Sequence, residues 1–301
     1  MKFLISNDDG IHAPGLLALH QALSHIGDVM VVAPTSEQSG SASSLHISQP
    51  LYTHELPSGF IAVNGSPADC IYLALHQIYS DIKFDCVITG INSGANLGQD
   101  VMFSGTFGAA LTAQLFGVPA IATSLVGGKV KGDGSDQTSH YQMAAAEIAK
   151  LLTETALLEE IKQLPYHVLN VNIPNVDKAE DIVGRKITRL GHSLLARPVH
   201  QMVDPRGRDT YWLSLKKSQH SQSEDYVDAS LNTLNDASID RFALTSADCT
   251  DLVRQSVADN DEHLVVWTDD QAVTAGYISL SPVRLHHTPT TALNKFSALL
   301  L

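Results

Sequence analysis

Two adjacent carboxylates, Asp8 and Asp9, follow a short apolar run at the start of the chain. Residues 3–5 predict a buried first strand, whose carboxyl end delivers both side chains into a loop that ends at Gly10. Adjacent carboxylates repel each other, and a hard divalent cation prefers oxygen ligands, so the pair is a candidate metal site. Asn-Asp-Asp-Gly is also favourable turn chemistry, and a solvated turn stays the alternative at this point.

Two later loops and one helix start carry more groups of this kind. Residues 35–41 are rich in serine and follow a predicted strand, and residues 90–98 hold two asparagines and three glycines. Ser104-Gly105-Thr106 precedes an apolar helix that we expect at 107–116. Asparagine carbonyls can ligate a hard metal, and a helix N-terminus can bind an anion. The structural alternatives are a flexible loop, left-handed asparagines and a plain N-cap at Ser104.

The elements around these loops alternate as strand, helix and strand. The pattern predicts strands at 2–6 and 28–34 joined by a helix near 15–25, which is a parallel βαβ unit. Further segments continue the alternation, with predicted strands at 84–89, 119–123, 167–172 and 276–283, a helix from 67 to about 79 and a long helix at about 138–163. In an open α/β sheet, ligands bind at the carboxyl ends of the strands, so the three loops belong to one rim. After residue 180 only strand-like segments are predicted, at 186–190 and 211–215.

Composition excludes several classes of function. The net charge of -13 and the pI near 5.4 argue against a general binder of nucleic acid or membrane surfaces. Three widely spaced cysteines offer neither a disulfide framework nor a zinc site, which predicts a cytoplasmic protein. We expect no signal peptide and no membrane span. The chain lacks a Walker lysine motif, a dinucleotide-binding glycine fingerprint and H-E-x-x-H.

Four separated motifs together resemble the SurE family of stationary-phase survival proteins, which are metal-dependent 5'/3'-nucleotidases. The first three are Ser6–Gly10 with Ala13-Pro14-Gly15, Ala33-Pro34 with Ser39-Gly40, and the Gly90–Gly98 loop. The fourth is Ser104-Gly105-Thr106. Weaker likeness continues in Asp204–Gly207 with Tyr211-Trp212 and in Ala272-Val273 with Gly276–Ser279.

The resemblance implies one divalent ion per subunit, magnesium or manganese, with Asp8, Asp9, Ser39 and Asn92 as its ligands. It also places a substrate phosphate among the following residues: Asn7, Gly40, Asn96, Ser104, Gly105 and Thr106. The expected reaction is hydrolysis of nucleoside 5'-monophosphates, with 3'-monophosphates and polyphosphate as further candidates. Asp8 and Asp9 are the expected catalytic residues, and Asp9 is the one expected to accept the proton of the attacking water. An aspartyl-phosphate route is the alternative within the enzyme class, although the pattern for it is Asp-x-Asp.

The implied fold is a Rossmann-like, three-layer α/β domain with a mostly parallel sheet and a C-terminal β-rich part for oligomerisation. We expect the catalytic core at 1–180, and at 181–301 a part that completes it and forms a homodimer or homotetramer. Within that part, residues 216–262 are expected to be a surface insertion, because the link from Trp212 to Thr268 is several times longer than is usual in the family. Thr112-Ala113 and His286-His287-Thr288 also depart from the family pattern. A catalytically weak protein that binds phospho-ligands through the same metal site is therefore the alternative function.

Overall fold

The computed structural model describes residues 1–127, 138–176, 178–191, 199–213 and 266–284. The chain forms two compact units, the first of residues 1–192 and 266–301 and the second of residues 193–265. The expected insertion at 216–262 and the departure at 286–288 lie outside the described residues.

The first unit is built on one mixed sheet with helices on both faces. Its strands are β1 (Lys2–Ser6), β2 (Asp28–Pro34), β3 (Thr53–Glu55), β4 (Ile61–Val63), β5 (Cys86–Ser93), β6 (Ala120–Leu125), β7 (His167–Ile173), β8 (Gly184–Ile187) and β11 (Tyr277–Arg284). Its helices are α1 (Pro14–Leu23), α2 (Pro67–Leu73), α3 (Gly105–Leu115), α4 (Thr138–Glu154), α5 (Leu157–Lys162) and α6 (Asp269–Thr274).

The strand order in the described sheet is β3-β4-β2-β1-β5-β6-β7-β11-β8. The strands from β4 to β7 run parallel to their neighbours, while β3 pairs antiparallel with β4 and β11 antiparallel with β7. From β1 the chain first builds outward to β2 and later returns to add β5 on the other side. Such a reversal leaves a crevice at the carboxyl ends of β1 and β5, where open α/β sheets bind ligands.

Two apolar cores lie on opposite faces of this sheet, and alternation along β1 feeds both. Phe3 and Ile5 pack in the core that α1, α4 and α5 cover, whereas Leu4 packs in the core under α2 and α3. All three side chains are fully buried. This arrangement confirms the expected three-layer α/β fold with a mostly parallel sheet.

Some boundaries differ from the predicted ones. The long helix expected at about 138–163 is two helices, α4 and α5, which meet at residues 155–156, where the Thr155 hydroxyl donates to Leu151 O and accepts from Leu157 N. The helix expected from 67 to about 79 changes at Ala74 into one wider π-helical turn. The third strand was expected to end at Thr89, but β5 continues to Ser93. Asn92 therefore lies within a strand of the sheet.

The described part of the second unit is a hairpin of β9 (Val199–Val203) and β10 (Asp209–Leu213). Asp204 closes its turn, accepting from the backbone N–H groups of Arg206 and Arg208. Within the described residues, every helix is too short or too polar to cross a lipid bilayer.

Candidate active site

The two acidic residues lie where the sheet reverses direction, between β1 and β5. Asp8 is buried and Asp9 is half-buried. Ser93, at the end of β5, donates its backbone N–H to Asp9 Oδ2 at 2.9 Å. The carboxylate of Asp9 is thus fixed to the neighbouring strand. The loop at the end of β1 also contains the turn that Asn-Asp-Asp-Gly predicts, since Asn7 Nδ2 donates to Gly10 O at 2.9 Å.

The carboxylate of Asp8 faces the start of α3. Thr106 donates its hydroxyl hydrogen to Asp8 Oδ1. Burial raises the pKa of Asp8, the Thr106 hydrogen bond acts against that rise, and the nearby carboxylate of Glu37 adds to it. A charge held in this place therefore needs compensation from a group of opposite sign.

Helix α3 begins beside Asp8 because its first residue has no side chain. A Cβ at Gly105 would lie 2.6 Å from Ser41 Oγ and 2.9 Å from Asp8 Cβ. Ser104 caps the helix, accepting from Phe107 N at 3.0 Å. Thr89 of β5 donates its hydroxyl to Thr106 O at 2.8 Å. The helix N-terminus, with the partial positive charge of its N–H groups, is thereby held against an acidic side chain.

The serine loop after β2 also lies next to Asp8, and its residues differ in exposure and in hydrogen bonding. Gln38 N donates to Asp8 O at 2.7 Å and fixes the loop to the acidic turn. Ser39 is exposed and donates its hydroxyl to Glu37 Oε1 at 2.6 Å, and Gly40 is exposed with a φ of +79°. Ser41 Oγ is buried without a hydrogen-bond partner next to Gly105. Ser41 Oγ thus lies beside the first residue of α3, whereas the Ser39 hydroxyl is bonded to Glu37.

The two asparagines of the third loop are held by different partners. Asn92 Nδ2 donates to Gly94 O at 2.8 Å. Asn96 is buried, and its backbone N–H donates to Asn172 Oδ1 at 2.9 Å while its carbonyl accepts from Asn170 and Asn172. Asn96 Nδ2 donates to Ser124 Oγ at 2.8 Å. Asn96 is therefore placed by a buried polar network that reaches across β6 and β7.

Several residues at the site were not singled out from the sequence. They are Glu37 and Ser41 in the serine loop, Ser124, Tyr141, Asn170 and Asn172. Asn170 and Asn172 carried a usable signal, because two fully buried amides at a spacing of two in an apolar strand require partners. No local sequence pattern points to Tyr141. Its side chain is hydrogen-bonded to Ser93, and burial together with the nearby carboxylate of Asp9 raises the pKa of Tyr141.

Oxygen atoms dominate this site. Among the described residues no three His, Cys, Asp or Glu side chains are grouped closely enough to hold a metal ion by themselves. An ion here would therefore need amide or hydroxyl oxygens besides the carboxylates. Asn7 Oδ1 is buried without a partner, as is Ser41 Oγ, so unused oxygen acceptors are present. Such a donor set suits a hard cation better than zinc.

Residues 3–197 match the family model described as Survival protein SurE. The chain belongs to the SurE family. A protein of Psychrobacter cryohalolentis named 5'-nucleotidase SurE is 63% identical over 305 residues, covering 100% of both chains. A 5'-nucleotidase SurE of Pseudomonas syringae is 45% identical over 214 residues, covering 71% of this chain and 81% of its own length. The crystal structure of the SurE protein from Aquifex aeolicus superposes with a TM-score of 0.68 at 30% identity over the full length of both chains.

One SurE departure can be located in the described structure. Thr112 and Ala113 are buried in α3, and the Thr112 hydroxyl donates to Gly108 O at 2.8 Å within the same helix. Its hydrogen-bonding demand is satisfied locally. The Thr112 hydroxyl therefore needs no partner outside α3.

Proposed function

We propose that this SurE-family chain is a metal-dependent phosphomonoesterase that converts nucleoside 5'-monophosphates into nucleoside and phosphate. The observation that carries the proposal is the contact between the Asp8 carboxylate and the N-terminus of α3. A carboxylate that can bind a cation thereby lies next to a helix N-terminus that can bind an anion. The names of the relatives, 5'-nucleotidase SurE, support the same activity.

The residues that would hold the ion are Asp8, Asp9, Ser39 and Asn92. Burial and Glu37 raise the pKa of Asp8, so the ionised carboxylate gains from a cation nearby. A divalent ion, magnesium or manganese, supplies charge neutralisation and lowers the pKa of water at such a site. Ser39 would have to exchange its hydrogen bond to Glu37 for this role, a change confined to an exposed loop side chain.

The residues assigned to the substrate phosphate lie on both sides of Asp8. Ser104, Gly105 and Thr106 open α3, whose N-terminal N–H groups favour an anion. Asn7, Gly40 and Asn96 are the further proposed contacts. Phosphate-ester hydrolysis requires positioning and charge neutralisation above all, and preorganised N–H donors supply both in an acidic protein.

Asp9 is the proposed acceptor for the proton of the attacking water. Its Oδ2 accepts from Ser93 N, which sets the orientation of the carboxylate relative to β5. Tyr141 is in turn hydrogen-bonded to Ser93. The orientation of the base is thus set by backbone and core groups that do not depend on the substrate.

The deciding experiment measures phosphate release from AMP and from an aryl phosphate. We expect turnover with Mn²⁺ or Mg²⁺ and its loss on adding a chelator, with full recovery after fresh metal. The binding-only alternative predicts instead that AMP binds in a metal-dependent way with no phosphate released. Assays with 3'-monophosphates and polyphosphate in parallel define the range of substrates.

We further propose that the protein is a homodimer or homotetramer. The support is the hairpin of β9 and β10, which exposes the following apolar side chains by more than half: Val199, Met202, Val203, Tyr211, Trp212 and Leu213. Exposed apolar groups in this number mark an interaction surface more often than a free one.

A further inference from the structure

Asp269 is a buried carboxylate with no assigned role in the reaction. It is the first residue of α6 and is fully buried. Its Oδ2 accepts from Gly98 N at 2.8 Å, across 171 positions of sequence. Its Oδ1 accepts from Gly191 N at 2.8 Å and from Asp270 N at 3.0 Å. Burial raises the pKa of Asp269, and these three N–H groups act against that rise.

The contact with Gly98 falls between two groups of proposed phosphate contacts. Gly98 follows Asn96 by two residues and begins a short helical turn, Gly98–Phe103, that leads directly to Ser104. Asn96 is held from the other direction by Asn170 and Asn172. The segment from Asn96 to Ser104 is therefore fixed near its start by two side chains of β7 and one carboxylate.

The contact with Gly191 falls where the chain leaves the first unit. The first unit consists of two segments, residues 1–192 and 266–301. Gly191 lies near the end of the first segment and Asp269 near the start of the second. Gly191 allows this approach because a Cβ there would lie 2.3 Å from Asp270 Oδ1 and 3.1 Å from Asp269 Oδ1. Asp269 N donates to Arg189 O at 2.9 Å and strengthens the same junction. One carboxylate thus joins Gly191 to the Asn96–Ser104 segment.

An ionised carboxylate suits this place and an amide does not. Gly98 and Gly191 each donate to a different oxygen of Asp269. An asparagine offers one oxygen and one NH₂ group, so one of the two backbone N–H groups would face a donor and lose its partner. A buried N–H without an acceptor is costly, and the backbone that carries it moves to relieve the contact.

We propose that Asp269 is a positioning residue for the reaction, which holds Gly98 so that Asn96 and Ser104–Thr106 keep their places around the substrate phosphate. The proposal rests on the proposed phosphatase function. The carboxylate of Asp269 accepts from Gly98, Gly191 and Asp270, so it acts on the reaction through the backbone of the loop. A shift of about 1 Å in such a loop is enough to lower a reaction rate by about a hundredfold.

The test compares Asp269→Asn with Asp270→Asn, which removes the neighbouring exposed carboxylate and makes the same change in charge. For Asp269→Asn we expect kcat/KM for AMP to fall by tenfold or more and the inhibition constant of inorganic phosphate to rise. The Mn²⁺ concentration for half-maximal activation should stay within about twofold of wild type, because Asp8 and Asp9 are untouched. Asp270→Asn should keep wild-type values of all three.

Each other outcome has a definite meaning. A folded Asp269→Asn protein with wild-type kcat/KM overturns the proposal, as does an equal loss in Asp270→Asn or an equal weakening of Mn²⁺ activation, which would indicate general loosening. If the wild-type protein shows no metal-dependent phosphatase activity, the proposed function fails instead.

A measurement on the wild-type protein covers the case in which Asp269→Asn does not fold. Hydrogen exchange followed by mass spectrometry should show peptides 98–103 and 266–274 losing protection at the same urea concentration, since one carboxylate joins them. Exchange of 98–103 well before 266–274 would overturn the proposal without any variant.

Discussion

At the scale of single residues, the polar atoms of the site differ in whether they already have a hydrogen-bond partner. Asp8 Oδ1 is taken by Thr106, and Asp9 Oδ2 by Ser93. Asn7 Oδ1 and Ser41 Oγ are buried and have no partner. Buried polar atoms normally have partners, so these two mark the part of the site that a ligand would complete.

The first residue-scale prediction concerns Asp8→Asn. We expect this substitution to abolish metal-stimulated phosphate release, since the amide removes a negative charge from the proposed metal ligands. Without metal the variant should be at least as stable as wild type, because burial already disfavours the ionised Asp8. Assays at limiting Mn²⁺ together with thermal melting check both parts. Wild-type turnover at limiting Mn²⁺ would show that Asp8 is not a metal ligand.

The second residue-scale prediction separates Ser39 from Ser41. Ser39→Ala should cost more activity than Ser41→Ala and should raise the Mn²⁺ concentration needed for half-activation, because it loses a proposed ligand. Ser41→Ala should leave that concentration unchanged and act on KM for AMP, since its buried hydroxyl lies beside Gly105. Ser43→Ala in the same loop serves as the control. Equal effects of Ser39→Ala and Ser41→Ala on metal activation would point to loop flexibility instead of coordination.

At the scale of elements, the loops at the strand ends depend on caps and networks in neighbouring elements. Ser66 and Asp69 form a capping box at the start of α2. Asp69 also accepts from His46 N at 3.0 Å and pairs with His46 Nδ1 at 2.6 Å. Residues 42–46 follow the serine loop directly, so the contact of Asp69 with His46 anchors the chain just beyond that loop. A change at Asp69 should therefore act on stability and loop placement together.

We predict that Asp69→Asn destabilises the protein by about 1–3 kcal/mol at pH 7, the usual effect of losing hydrogen bonds to a buried charged group. Burial alone would raise the pKa of Asp69, but the hydrogen bonds from His46 and Ser66 outweigh it and lower that pKa. A lowered pKa stabilises the fold above the unfolded-state pKa, which is about 4, and this contribution is lost as pH falls through the folded-state pKa. The penalty measured by urea unfolding should therefore shrink below about pH 4.

Asp28→Asn, at the exposed start of β2, is the matched control and should change stability little at either pH. A penalty for Asp69→Asn that stays constant from pH 7 to pH 3 would contradict the assigned role of its charge.

The elements that the sequence predicts well are those with local signals. The strand that ends in Asn7-Asp8-Asp9-Gly10, the helix that begins at residue 67 and the helix that follows Ser104 all rest on neighbours within four residues, and the structure has each of them. The alternation at 276–283 predicts a strand but not its insertion between β7 and β8, because strand pairing depends on partners about a hundred residues away. The contact of Asp269 with Gly98 has no local pattern at all. Which of Ser39 and Ser41 has its hydroxyl buried beside Gly105 depends on the backbone turn at Gly40, with a φ of +79°, and the neighbouring residues in the sequence do not determine that turn.

At the scale of the whole molecule, an acidic chain has to bind an anionic substrate. With a net charge of -13, long-range attraction does not bring a phosphate to this protein. The attraction has to be local, from the N-terminus of α3 and from the proposed ion at Asp8 and Asp9. This explains why a few buried groups at the junction of β1, β5 and α3 should control the reaction, while surface charge elsewhere should matter little.

The last prediction concerns the oligomer. A two-stranded hairpin is marginally stable alone, and β9 and β10 expose Tyr211, Trp212 and Leu213 by 65–70%. Covering these side chains with a second copy would stabilise the hairpin through burial of apolar area. We expect wild type to have at least the mass of a dimer in light scattering at micromolar concentration, and Trp212→Asp with Leu213→Ser to reduce that mass. Arg206→Ser, in the exposed turn of the same hairpin, should leave the mass unchanged. A wild-type monomer, or an oligomer that the double substitution leaves intact, would show that this hairpin is not the contact between copies.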